Sequence, residues 1–193
     1  VSGNMLSCSI QCDADSDLRR SCNVSLVVVN KTFDIQPGGR IFLDRYIQVY
    51  IGLKNIYTGE VQWYNQGIYL IDAPSFNYDA TNNTLSFTGL DLMSKLTGAR
   101  NGQLEGIPTV IKQGESVREA MIATLKLGGF TKYIVSECAN RDGTVQAVPY
   151  DIEIDQGGYV YDILAKLRDI LPQYQIFFDV DGVFHYELIP SGD

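Results

Sequence analysis

The first ninety residues alternate apolar with polar positions in short runs rich in β-branched and aromatic side chains. This period of two is typical of strands with one buried face. Turn-forming residues separate the runs, as in Gln36-Pro37-Gly38-Gly39 and Tyr57-Thr58-Gly59-Glu60. The pattern predicts five strands, over residues 5–12, 21–29, 40–52, 60–72 and 84–90. Strands spaced this regularly, with no long helix between them, favour an antiparallel barrel or sandwich.

The second half of the chain changes to a helical period. It predicts a short helix, a glycine-spotted linker and two longer amphipathic helices, over residues 91–98, 99–106, 116–127 and 159–171. Ser116 and Glu119 have the spacing of a capping box. Pro172 cannot continue the last helix, so we expect that helix to end just before it.

Two alternating strands at 174–189 flank Asp181-Gly182, which predicts a hairpin with a type I′ turn. The chain is therefore predicted to be an α+β protein. An N-terminal, antiparallel β-barrel-like domain occupies residues 1–98. A smaller α+β domain with two amphipathic helices and the C-terminal β-hairpin occupies residues 99–193. Later strands could complete the first-half barrel.

Charge narrows the range of partners. The 193 residues carry a net charge of -8, and the pI is near 4.6, which argues against a phosphate-contacting surface. No apolar run reaches the length of a membrane-spanning helix, and the N-terminus lacks the pattern of a signal peptide. We therefore expect no specific nucleic-acid binding and no membrane insertion. Because neither end carries a terminal signal, we also expect a segment of a longer polypeptide.

Motifs for catalysis or metal binding are scarce in the sequence. His185 is the only histidine, which excludes the two-histidine motif of zinc proteases, and no CxxC pair exists to build a thiolate zinc site. The glycine pairs Gly38-Gly39 and Gly128-Gly129 lack the lysine and context of a phosphate loop. We expect His185 to be structural. The sequence predicts no catalytic residue, no cofactor and no metal site.

One enzymatic alternative remains, and it involves the carboxylates Asp151, Glu153 and Asp155. Alternate positions on a strand point to one face about 6.5–7 Å apart, within the range of an inverting glycosidase pair. The simpler interpretation is the solvent face of a strand whose other face is Ile152 and Ile154. We prefer the simpler interpretation and keep a cell-wall glycan hydrolase as the alternative.

The stretch QCDADSDLRRSC (11–22) resembles a calcium loop only in part. With Asp13 as the first ligand, Leu18 stands where such a loop needs glycine, and Val24 where it needs glutamate. We expect a turn between two strands. Whether the aspartates at 13–17 collect a cation stays open.

The four cysteines are predicted to be reduced and partly buried. Cys8 and Cys12 lie about 13 Å apart along one strand, which is too far for a disulfide. Cys12 and Cys22 could approach each other across the turn.

Aromatic residues are frequent in the first half. Trp63-Tyr64, with Tyr46, Tyr50 and Tyr57, could form the platform of a carbohydrate-binding module, or could pack in and around a barrel. Packing is the commoner use, and we prefer it. Many aromatic residues without a catalytic constellation indicate a building block of an assembly.

The order of the motifs resembles a known family. DLRRSCNVSL (17–26), a long strand ending in Ile51-Gly52, TGEVQWYNQGIYLID (58–72) and LSFTGLDLMSKLTG (85–98) resemble minor structural proteins from the tails of bacteriophages and prophages. VPYDI (148–152), an amphipathic helix and FDVDGVFHY (178–186) complete the order. The resemblance covers nearly the whole chain.

This resemblance implies the N-terminal region of a tail hub or baseplate protein. In that family, two related β-barrel domains interrupted by smaller α+β domains surround a threefold channel that continues the tail tube. The implied role is structural: it connects the tail tube to distal tail proteins, without catalysis in this region. The implied partners are two further copies in a homotrimer of the full-length protein and other tail proteins. The implied location is the virion tail, after assembly in the host cytoplasm.

Overall fold

The structure, a computed structural model, describes residues 4–28, 37–78, 83–106, 109–139 and 144–190. It is an α+β protein, as predicted, and divides into two compact units, Val1–Leu92 and Met93–Asp193. This division falls a few residues before the expected boundary after Gly98. The assignment of the two halves as a hub domain and an inserted domain stays a prediction.

The first unit is one antiparallel sheet. Its strands are β1 (Met5–Cys12), β2 (Arg20–Val27), β3 (Tyr46–Lys54), β4 (Val61–Tyr78) and β5 (Asn83–Asp91). The spatial order is β1-β2-β5-β4-β3, so β1 and β3 form the two edges of an open, curled half-barrel. Strands of the second unit do not join this sheet within the described residues.

One face of the sheet buries the core of the first unit. Cys22, Val24 and Leu26 of β2 alternate inward, as the period of two predicts. Tyr69 and Ile71 of β4 join them in the same buried cluster. The core therefore lies on the middle strands, and the edge strands are mostly exposed.

Two predicted strand boundaries are wrong for local reasons. β3 begins at Tyr46 and not at residue 40, because the Arg45 side chain donates to the carbonyls of Gly38 and Gly39 and holds the preceding turn. β4 continues past residue 72 to Tyr78, with an irregular register between Asp72 and Ser75. This bulge accommodates Pro74, which has no N–H to give to the ladder.

In the described residues of the second unit, two helices combine with two small sheets. Its elements are β6 (Thr109–Ile111), α1 (Val117–Leu127), β7 (Tyr133–Val135), β8 (Ile152–Ile154), α2 (Val160–Ile170), β9 (Tyr174–Phe178) and β10 (Phe184–Leu188). β10 lies between β7, to which it is parallel, and β9, to which it is antiparallel. β6 and β8 form a separate antiparallel pair. In the described ranges, no helix has both the length and the apolar character needed to cross a membrane.

Both long helices bury an apolar stripe, as predicted, and α1 begins at the predicted capping box. Ser116 Oγ accepts a hydrogen bond from Glu119 N at 3.4 Å, which satisfies a free N–H of the first turn of α1. In α2, Asp162 Oδ2 accepts from Tyr159 N at 2.7 Å. The short helix predicted at 91–98 is a single 3₁₀ turn at Leu92–Lys95.

Residues 99–106, predicted to be a linker, are packed inside the second unit. Leu104 is buried, and its N–H donates to the Gly158 carbonyl at 2.8 Å. Gly157 N returns a hydrogen bond to Leu104 O at 3.0 Å. The prediction of a linker from glycine content is therefore wrong for these residues.

The predicted C-terminal hairpin is present, but its turn is not type I′. Phe178 pairs with Phe184, which leaves five residues, 179–183, in the loop. A type I′ turn needs positive φ at both central residues, and in this loop only Gly182 has it, with φ 74°. The Asp179 side chain organises the loop instead, by accepting from Asp181 N and Val183 N, each at 2.9 Å.

Candidate interaction surfaces

The acidic stretch connects β1 to β2, as predicted. Asp13 N donates to Arg19 O at 2.8 Å and closes the connection, and Asp13 Oδ1 accepts from Asp15 N at 3.0 Å. The Asp13 side chain is used in the turn, and Asp13, Asp15 and Asp17 are all exposed. Over the part of the chain that the structure describes, no group of three or more His, Cys, Asp or Glu is placed to hold a metal ion.

A buried ion pair joins the end of this connection to the end of the sheet. Arg20 Nε lies 3.1 Å from Asp91 Oδ2, and Asp91 is only 2% exposed. The guanidinium also covers Gly67, where an added Cβ would lie 2.7 Å from Arg20 Nη1. Two motifs of the family resemblance, DLRRSC and FTGLD, therefore meet here and fix three strands to one another.

The four cysteines are free, and the predicted burial is wrong for Cys8 and Cys12. Cys22 lies opposite Ile10, so Cys8 and Cys12 are its diagonal neighbours on β1. Burial raises the pKa of the Cys22 thiol to about 12, so it is protonated and unreactive at neutral pH. Cys8 and Cys12 are exposed on the edge strand.

The carboxylates at 151–155 occupy a solvent face. Ile152 and Ile154 are buried, and Asp151 and Glu153 point outward, which matches the simpler of the two interpretations. Lys112 Nζ, 2.8 Å from Asp151 Oδ2, lowers the pKa of that carboxyl. A glycosidase acid needs the opposite shift. Cell-wall cleavage by these residues stays an untested hypothesis.

His185 is held inside the C-terminal hairpin. Its Nε2 lies 3.0 Å from Asp179 Oδ2, and its Nδ1 lies 3.1 Å from Glu187 Oε2. The imidazole also stacks on Phe177, with ring centroids 4.9 Å apart. Both ring nitrogens are thus occupied by carboxylates of the same hairpin.

Substitution of Asp179 is expected to weaken the hairpin in a pH-dependent way. Partial burial alone would raise the pKa of Asp179, but hydrogen bonds from Val183 N, His185 and Asp181 N outweigh burial and lower it. A lowered carboxyl pKa stabilises the fold above its unfolded value of about 3.9, and this contribution is lost as the pH falls through the folded value.

Asp179→Ala should therefore cost about 1–2 kcal/mol at pH 7, and Asp179→Asn should cost less because its amide oxygen still accepts from the loop. The difference between the wild type and either variant should shrink at pH 3. Urea unfolding at both pH values measures it. The control is Asp155→Ala, at an exposed position. An Asp179→Ala cost that is the same at pH 3 and pH 7 would contradict this account of the carboxylate.

The aromatic residues of β3 and β4 lie on the surface, so the predicted packing in and around a barrel is wrong for them. The residues at 50–64, called the hairpin tip below, expose large apolar side chains on both faces of the two-stranded ribbon: Tyr50, Ile51, Leu53, Ile56, Tyr57, Val61, Trp63 and Tyr64. Tyr57 is 92% exposed and Trp63 is 60% exposed. The sequence analysis did not predict the exposed aliphatic residues of this set, although the scarcity of charged residues in this stretch indicates an unusual surface.

The sheet face opposite the core is rich in hydroxyl groups. A shallow groove of about 280 Å³ on the first unit includes Ser7, Ser9, Asn23, Ser25, Ser75, Ser86 and Thr88 in its lining. Cross-strand pairing aligns Ser7 with Ser25 and Ser25 with Ser86, and Thr88 Oγ1 donates to Asn23 Oδ1 at 3.1 Å. No charged side chain is among the lining residues of this groove. The groove lining therefore offers no positively charged side chain to a polyanion.

Comparisons with known proteins identify a shared fold. No protein-family model and no curated protein sequence matches the chain. The tail protein from Neisseria meningitidis MC58 is similar with a TM-score of 0.59 and 13% identity, over 93% of this chain and 45% of that chain. The 43 kDa tail protein of prophage MuSo2 from Shewanella oneidensis is similar with a TM-score of 0.55 and 14% identity, over 93% and 47%.

The chain therefore spans just under half the length of these two tail proteins. At such low identity, the likeness establishes the fold. The predicted resemblance to tail proteins is confirmed at that level.

Proposed function

We propose that this chain is a structural component of a bacteriophage or prophage tail, placed in the hub at the tail tip or baseplate. The observation that carries the proposal is the fold shared with two tail proteins over 93% of the chain. In this role, it connects the tail tube to more distal tail proteins. Because the chain spans less than half of those two proteins, the activity of the complete protein forms part of the proposal.

The surfaces of the first unit support this role. An apolar hairpin tip suits a protein that works with permanent neighbours, since an isolated soluble chain rarely exposes so much apolar surface. In the proposed assembly, three copies of the full-length protein surround a channel that continues the tail tube. The acidic net charge and the uncharged groove suit a channel that must not retain DNA.

In the proposed role, this region performs no catalysis and needs no cofactor or metal. Assembly in the bacterial cytoplasm suits four free cysteines, because that compartment keeps thiols reduced. In this proposal, any enzymatic or receptor-binding function of the tail belongs to other regions or other tail proteins.

Electron microscopy of the protein made from its complete gene tests the proposal. We expect rings with threefold symmetry and a central opening, and we expect these rings to bind purified tail tubes. Particles without a ring that also fail to bind tails would contradict the proposed function. The matched sample is the same protein carrying Arg20→Met, whose weakened first unit should form fewer rings.

A further inference from the structure

The hairpin tip is short of charge as well as rich in apolar surface. Its fifteen residues include only two charged side chains, Lys54 and Glu60. The ordinary two-stranded ribbon in water turns one polar face outward, and this ribbon is apolar on both faces. Because an aromatic residue can bury 150–250 Å², the exposed apolar area of the tip is on the order of 700 Å². That area approaches the roughly 800 Å² that one partner contributes to a specific interface.

The tip is ordered in advance of any contact. Asn55 N donates to Glu60 O, and Gly59 N donates to Asn55 O, each at 2.8 Å. The Asn55 side chain accepts from Tyr57 N at 2.8 Å and from Thr58 N at 3.2 Å. The Trp63 ring lies over Gly52, where an added Cβ would meet it at 2.9 Å. A surface shaped this way loses little conformational entropy when a partner binds.

The other edge of the same sheet supplies the matching surface. In the described sheet, β1 and β3 each have a neighbouring strand on one side only. β1 exposes Met5 and Leu6 and contains no Asp, Glu, Lys or Arg. Soluble proteins usually protect free edges with charges or proline, and β1 has neither. β1 therefore has no charged side chain and β3 has one, Lys54, and in the described sheet both edges are open to strand addition.

We propose that the hairpin tip and the β3 edge of one copy pack against the β1 edge of a second copy of this chain. Each chain carries one edge of each kind, so a single head-to-tail contact satisfies both, and its repetition about an axis closes a ring. β1 has no charged side chain that such a contact would have to desolvate, and Lys54 is the one charged side chain on β3. The inference rests on the proposed function, in which the chain assembles with itself.

The proposed contact can be tested with the chain's own cysteines, because the alternation of side chains shows which residues of β1 and β3 share a face. Ile10, between Cys8 and Cys12 on β1, packs against the buried core, and so do Ile47 and Val49 on β3. By the alternation of side chains, Cys8 and Cys12 share that face of β1, and Ile51 shares it on β3. If the edges of two copies meet and the sheet continues, a cysteine at position 51 comes close to Cys8 or Cys12 of the next copy. A cysteine at position 50 points to the opposite face.

The first arm of the test is cross-linking by diamide, which oxidises two thiols to a disulfide. Ile51→Cys should give dimers and higher species on a non-reducing gel. These products should disappear when Cys8 and Cys12 are both changed to serine. Tyr50→Cys is the control for the opposite face and should give at least about fivefold less product, because a disulfide needs close Cβ atoms. Equal cross-linking of both variants would overturn the proposal.

The second arm measures association by analytical ultracentrifugation of the 193-residue chain across a concentration series. Leu53→Lys places a charge on the tip, and Leu127→Lys places one on α1; both leucines are 58% exposed, so neither change should disturb the fold. We expect Leu53→Lys to weaken self-association about tenfold or more and Leu127→Lys to change it less than about twofold.

The outcomes separate the two proposals. If the wild type associates and Leu53→Lys associates equally well, the interface is wrong, but the self-assembling tail component stands. If the wild type neither associates nor cross-links, then self-assembly by this chain is wrong, and the interface falls with it. If Leu53→Lys abolishes only the binding of a distal tail protein or a cell-wall glycan, the tip serves that partner, and the copy-to-copy contact is overturned.

Discussion

Arg20→Met is expected to destabilise the first unit by about 3–5 kcal/mol, the cost of leaving a buried charge without its partner. Asp91 is 2% exposed and lies 3.1 Å from the Arg20 guanidinium. Methionine keeps an apolar stem of similar length, so the change removes the charge and spares most of the packing. Asp91 then loses the guanidinium that offsets the burial of its carboxylate.

Segment-resolved hydrogen exchange during urea unfolding measures this effect, because it reports β2 and β5 separately from the second unit. Arg40→Met, at an exposed position in the same unit, should change stability by less than about 0.5 kcal/mol. The double variant Arg20→Met/Asp91→Leu should recover a large part of the loss, since it removes both charges. A loss in the double variant as large as in Arg20→Met would show that packing, and not charge, is the cause.

Phe184→Ala is expected to destabilise the second unit by about 3–5 kcal/mol. Phe184 is fully buried at the start of β10, the central strand of its sheet. Its ring centroid lies 5.3 Å from that of Phe178, which in turn lies 4.7 Å from that of Phe130. Alanine would leave a cavity at this buried position, and the ring contact between Phe184 and Phe178 would be lost.

The same exchange measurement should show the loss in β7, β9 and β10. The control lies on the same strand: Leu188 is exposed, so Leu188→Ala should cost less than about 0.5 kcal/mol. If Phe184→Ala and Leu188→Ala had similar effects, the hairpin would not be the core of this unit.

Local patterns were enough to predict most of the elements. The predicted first strand coincides with β1, because its turn residues and alternation are both clear. Helices α1 and α2 begin and end within one residue of the prediction, because Ser116, Gly128 and Pro172 mark their ends by local chemistry. The type I′ turn was wrong because Asp179 supplies hydrogen bonds that a dipeptide rule does not contain.

Local sequence patterns could not predict the Arg20–Asp91 ion pair or the exposed hairpin tip. The pairing of Arg20 with Asp91 joins residues 71 positions apart, and only the strand order brings them together. The sequence of the hairpin tip predicts buried core residues. An apolar side chain gives the same sequence pattern whether it is buried in its own chain or in an assembly. Its near absence of charge was visible in the sequence and was the one available clue.

Quantitative mass spectrometry of purified phage particles, after induction of a host that carries the gene, tests the central claim most directly. The account predicts that peptides from these 193 residues remain in the particles through density-gradient purification, at about three copies for each tail. Peptides that are abundant in the lysate and absent from purified particles would contradict a structural role in the tail.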